Sequence, residues 1–287
     1  VFDRVIIVDW SAADGPGPAR PTKDRCWLAW GDRTKDARPA AEYFRTREAT
    51  MNRVSTLLTQ VPGARAMVGL DFALGYPADA GLPAGRALAA WLAERVHEGA
   101  NHQTNRFEAA GRINAELAQR LGLASGPFWG HPPGRVVPGL GTRRPVCALS
   151  PWRLVEERAR RAGWGMIQSA YKLAYTGAVG SQTLTGLPWV HRLLERLGPR
   201  GRLWPFDTGW GVPEGAGCVV IAEVWPTLTS IESTPGPCKD ARQVAALRDW
   251  ALEDAARLVA AFARPAGLED ESAERAERVE GWIVGLA

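Results

Sequence analysis

Two segments constrain this chain more than any others: Arg4–Asp9 (RVIIVD) and Ala66–Asp71 (AMVGLD). Each is an unbroken apolar run with no polar alternation, the pattern of a strand covered on both faces. Strands of that kind sit in sheets flanked by helices, so the chain reads as α/β. Each run also ends in a carboxylate, which is costly to bury unless something compensates it. A third run, Cys218–Trp225 (CVVIAEVW), carries Glu223 near its end.

The surrounding pattern supplies a topology. Strands are expected at Arg4–Trp10, Arg25–Gly31 and Ala41–Thr46, with turn-rich spacers at 13–21 and 32–39, which suggests an antiparallel meander. Met51, Val54, Leu57, Leu58 and Val61 recur at helical spacing over Glu48–Gln60, before the strand Ala66–Phe72. A right-handed crossover makes that strand parallel to the first. From Tyr76 to about Gly201 the pattern is mainly helical, with the best segments at Arg86–His97, Phe107–Leu121, Pro151–Ala162 and Pro188–Leu197. Strands follow at Arg202–Phe206 and Cys218–Trp225, then one long helix stopping at Pro265 and a Glu-rich helix over Glu269–Glu280. The division expected is an α/β core of residues 1–77 and 200–287 with a helical insertion, 78–199, packed on it.

In open α/β sheets ligands sit beyond the carboxyl ends of parallel strands. Asp9 and Asp71 are therefore expected at one sheet edge, with Glu223 at the end of a later strand and Asp240 on the first turn of the long helix. Each acid alone also reads as a turn or helix cap, or as a partner for a core Arg. Their equivalent placement favours a shared cation: Mg²⁺ or Mn²⁺ takes carboxylate oxygens, and two such ions about 4 Å apart hydrolyse phosphodiesters in line.

This layout resembles the RNase H-like superfamily, and within it the family of predicted RNase H-like nucleases, a domain of unknown function. The resemblance rests on VDWSA, GLDFALGYP, AEVWPTL and KDARQV, with TGAVGSQTLTG as the insertion's Gly-Ser-Gln element. Trp225 stands where that family has His, Thr227 stands where it has an acid, and the acidic doublet of its final helix is missing. The resemblance implies an RNase H-like mixed sheet, three antiparallel strands followed by parallel ones. It also implies a metal-dependent nuclease using Asp9, Asp71, Glu223 and Asp240 as catalytic and metal-binding residues.

Other constellations bear on substrate. Asn105 and Arg106 open a helix of high polar density, where Arg offers a planar fork to phosphate oxygens. The Gly-rich TGAVGSQTLTG, with Gln182 and with Lys172 upstream, is of a type that cradles phosphate through backbone N–H groups, and Lys239 heads the long helix beside Asp240. Arg135, Arg143, Arg144, Arg153, Arg158, Arg160 and Arg161 form a basic stretch near Trp129, Trp152 and Trp164, a pattern compatible with nucleic acid as partner. Net charge is +4 and the four cysteines are widely spaced, so neither a zinc site nor a disulfide framework is expected. His97 and His102 lack the carboxylate of a metal triad. With no signal peptide or membrane span evident, a soluble cytoplasmic protein is expected. Two further readings stay open: a phosphotransferase of the actin and sugar-kinase type, whose phosphate hairpin DWSAADGPG fits loosely, and a non-catalytic binding module.

Overall fold

The computed structural model describes every residue except Asp36, in the second turn-rich spacer, and Met166. The apolar runs form the centre of one six-stranded sheet. β1 (Arg4–Asp9), β2 (Cys26–Asp32) and β3 (Glu42–Phe44) make the antiparallel meander. β4 (Ala66–Leu70), β5 (Gly201–Leu203) and β6 (Val219–Glu223) complete the sheet in the order β3-β2-β1-β4-β6-β5, with every pairing from β1 to β5 parallel.

Successive strand residues point to opposite faces, and both faces here are dry. Ile6, Val8, Val68, Leu70, Val219 and Ile221 join one core with α1 (Arg47–Thr59) and α5 (Gly180–Leu197). Val5, Ile7, Met67, Val220 and Ala222 join the other with α6 (Lys239–Glu253). That arrangement explains why the strands contain no polar alternation. α1 begins as its sequence directs: the Thr46 hydroxyl accepts from Ala49 N at 3.1 Å, and Met51, Val54, Leu57 and Leu58 are buried.

The intervening segment carries α2 (Gly85–Ala93), α3 (Arg106–Leu121) and α4 (Leu154–Arg161) ahead of α5. α5 begins eight residues before Pro188, so the Gly-Ser-Gln element is its first turn instead of an open loop. Ser181 Oγ donates to Leu173 O at 2.6 Å, and Gly186 gives room to the Phe72 ring, which a Cβ there would meet at 2.3 Å. The long C-terminal helix is also divided. Asp254 is extended, and its carboxylate accepts from Arg257 N at 2.9 Å, so it ends α6 and caps α7 (Ala255–Ala261). α8 (Asp270–Arg275) passes into a wider turn over Ala276–Glu280.

After that turn the chain runs back along the sheet. Ile283 bridges to Glu223 in parallel fashion, Val284 N donates to Glu223 O at 3.0 Å, and Trp282 is buried. Among the described residues no helix is long and apolar enough to cross a membrane. All four cysteines are free thiols.

The tail is held close by a glycine. A Cβ on Gly75 would lie 2.4 Å from the Glu280 carbonyl oxygen, a backbone atom with little room to retreat. Gly75→Ala is expected to lower stability by about 1–3 kcal/mol, the usual cost of overpacking, read as a reduced urea midpoint. An unchanged midpoint would show that the tail is not seated against this turn.

Candidate active site

Parallel pairing keeps β1 and β4 in step, with Val8 opposite Leu70. The next residue on each strand is an acid, so Asp9 and Asp71 emerge side by side at the sheet's carboxyl edge. Asp71 Oδ1 accepts from Trp10 N at 2.7 Å, and its carboxyl group lies close enough to that of Asp9 for each to shift the other's proton affinity. Trp10 is itself fixed, because its indole N–H donates to Thr185 Oγ1 of α5 at 3.1 Å. The pair is thus held rigidly from both strands and from one helix.

Its electrostatics follow from crowding. Burial lifts Asp9 well above the usual carboxylate range, and the neighbouring Asp71 charge, side-chain hydrogen bonding to Asp71 and the Asp240 charge push the same way. Asp71 rises to about 6, again chiefly through burial, opposed by the hydrogen bonds from Asp9 and from the Trp10 backbone. Two carboxylates this close bind protons more readily than isolated ones and favour a cation beside them.

Asp240, on the first turn of α6, completes the acidic edge without joining the pair. Its Oδ2 accepts from Asp24 N at 2.6 Å, which ties the loop before β2 to the helix head. Asp249 and Asp254 lie elsewhere: Asp249 pairs with Arg248, and Asp254 caps α7. Asp9 and Asp240 line a polar cleft of about 310 Å³, together with Arg106, Gln182, Ser11 and Tyr175. Arg106 is buried, donates to Asp14 at 2.6 Å and to Thr104 Oγ1 at 2.7 Å, and its Nε has no acceptor among the described residues.

Glu223 takes a different place from the one its sequence suggests. β6 pairs with β4 so that Glu223 lies opposite Leu70, one residue out of step with Asp71. A one-residue offset reverses the face from which a side chain projects, and Glu223 meets Arg153 instead of the acid pair. Arg153, only 1% exposed, donates from its two terminal nitrogens to Glu223 at 2.7 and 2.8 Å and from Nε to Glu156 at 3.0 Å. Leu74 N also donates to Glu223 Oε2 at 3.1 Å. Glu280 closes the cluster: its backbone carbonyl accepts from Arg153, while its carboxylate accepts from Ala78 N and Leu154 N. The carboxylate of Glu223 is therefore committed to an ion pair. Among the described residues no three His, Cys, Asp or Glu side chains are grouped to hold a metal ion.

The remaining candidates divide between the site and the scaffold. Gln182 lines the polar cleft, whereas Asn105 is structural, accepting from His97 N and donating to Arg95 O. Lys172 donates to Gln168 Oε1 and Thr176 O and lies over the Trp129 ring. Lys239 is exposed at the head of α6 and borders a second cleft, of about 350 Å³, that opens on Asp71. Within the basic stretch, Arg153 is the buried hub just described, Arg135 pairs with Glu108, and Arg160 covers Trp152. His102 is not idle either, since Nδ1 meets Glu98 Oε1, and Glu98 also pairs with the buried Arg47.

No family model, curated protein or solved structure matches the chain.

Removing the hub cation leaves Glu223 and Glu156 buried without it. Arg153→Met should cost about 3–5 kcal/mol of stability, and adding Glu223→Gln should restore part of it, as measured by chemical denaturation. The acid pair has the opposite sign. An acid whose folded pKa is raised destabilises the fold increasingly as pH climbs from its unfolded value, about 3.9, through its folded one. In chelator, Asp9→Asn should therefore raise stability by about 1–2 kcal/mol at pH 8, and the gain should fade below about pH 4, where both acids are protonated in either state. A gain independent of pH would contradict this account of the pair.

Proposed function

We propose that this chain is a divalent-metal-dependent phosphodiesterase with an RNase H-like fold, acting on nucleic acid. The observation that carries the reading is the meeting of Asp9 and Asp71 at the ends of adjacent parallel strands, beside a cleft holding a buried arginine. The sheet order supports it, with three antiparallel strands followed by parallel ones and the acids on the first and fourth.

The donor set suits Mg²⁺ or Mn²⁺. Mg²⁺ keeps several waters and is commonly held by one or two carboxylates, with substrate phosphate completing its shell. Asp9 and Asp71 are such a pair, and their raised proton affinity marks a place where positive charge is favoured. When bound, the ion supplies positive charge to phosphoryl oxygens and activates water for attack. Asp9 and Asp71 would hold it through their carboxylate oxygens, both in the ionised form. Asp240 adds negative potential from the helix head, and its bond to Asp24 N keeps the cleft wall in place. Glu223 contributes through structure, by fixing the Leu74 turn that follows Asp71.

The chain's own groups would position the substrate. Arg106 is pre-set by Asp14 and Thr104, so little side-chain freedom is lost when its guanidinium meets a phosphate oxygen. Gln182 and Ser11 offer neutral hydrogen-bonding groups on the same walls.

Purified protein should cleave single-stranded DNA or RNA with Mg²⁺ or Mn²⁺ and lose that activity in chelator. Asp9→Asn and Asp71→Asn should each reduce the rate by about 100-fold or more. Cleavage that survives either substitution would remove the acid pair from the chemistry.

A further inference from the structure

Beside the polar cleft, on the Asp71 side of the pair, lies the second cleft, and its walls have another character. Phe72, Val224, Trp225, Ile167 and Ile283 give it an apolar lining, Gln168 and Thr227 supply polar groups, and Lys239 stands at its border. Its floor is the Arg153–Glu223 ion pair, already satisfied internally. At about 350 Å³ it falls within the usual range for small-ligand sites, about 300–1,000 Å³.

Trp225 is the distinctive element. It lies two residues past the end of β6, remains partly exposed, and packs against Trp164 with ring centroids 6.0 Å apart and planes tilted by 47°. Trp225 also packs on the core beneath it, and the two contacts together leave part of the ring exposed. Trp164 is itself 39% exposed. A partly exposed indole on the cleft wall, with a second indole against it, is ill suited to a highly charged ligand. It suits a flat, weakly polar ring that carries its charge at one end.

We infer that this cleft receives one unpaired nucleobase, stacked on Trp225, with its phosphate directed toward Lys239 and the acid pair. This rests on the phosphodiesterase reading and narrows it: the unit recognised is a nucleotide whose base lies outside any duplex. The charge pattern matches, since the exposed Lys239 brings a cation to the cleft's border. The volume matches too, since the cleft has ample room for one ring. Stacking on an aromatic face tolerates any base, so little sequence preference is expected.

Calorimetry in Mg²⁺ with adenosine monophosphate and ribose 5-phosphate tests the inference through binding alone. The mononucleotide should bind at least about tenfold more tightly than the sugar phosphate. Trp225→Ala should shrink that advantage to about threefold or less, and Trp225→Phe should retain most of it. Equal affinity for the two ligands, absence of mononucleotide binding, or a preference that survives Trp225→Ala would each overturn the inference. Base-dependent binding without any cleavage of oligonucleotides would keep the base site and discard the hydrolytic reading. Cleavage without base-dependent binding would do the reverse.

Discussion

One buried guanidinium holds three distant parts of this chain to each other. Arg153 comes from the helical segment, Glu223 from the end of a central strand, and Glu280 from the turn before the final residues. A cation this deep is tolerated only because nearly all its donors are used, and the acids around it also receive backbone N–H groups from Arg153, Leu74, Ala78 and Leu154. The turn after Asp71, the start of α4 and the C-terminal tail therefore share one electrostatic anchor. The apolar cleft is built upon it.

Close to that anchor the charge logic is inverted. The Arg153 cluster is satisfied internally, whereas the Asp9–Asp71 pair crowds negative charge, which raises the proton affinity of both acids. Both motifs are made of acids at strand ends. What separates them is register: Asp9 and Asp71 are in step, and Glu223 is one residue early. A satisfied cluster suits scaffolding, and an unsatisfied pair suits binding a cation.

The sequence carried the sheet and the acid pair because both depend on local pattern. Unalternating runs such as VIIV and MVGL identify covered strands, and a carboxylate after each in a crossover unit leads to adjacency. It did not carry the fate of Glu223, since strand register is settled by pairing between segments about 150 residues apart in the chain. Arg153 was hidden among Arg158, Arg160 and Arg161, which share its chemistry but lie on the surface side of α4. Its only local signal was Glu156, three residues on, where a helix-start acid is expected anyway. The Gly-Ser-Gln element misled for a related reason. Its glycines look like loop residues, yet Gly186 serves close packing against Phe72 inside a helix.

The tail that lies along β6 also sets an order of assembly during synthesis. Asp9 and Asp71 are made early, and their strands pair with a segment that emerges soon after the first. Arg153 must wait for Glu223, and its last acceptor and the N–H partners of Ala78 and Leu154 arrive only with Glu280. On the ribosome, then, the acid pair can form in a nascent sheet while the apolar cleft beside it still lacks its floor and one wall. The apolar cleft is thus completed later in synthesis than the acid pair.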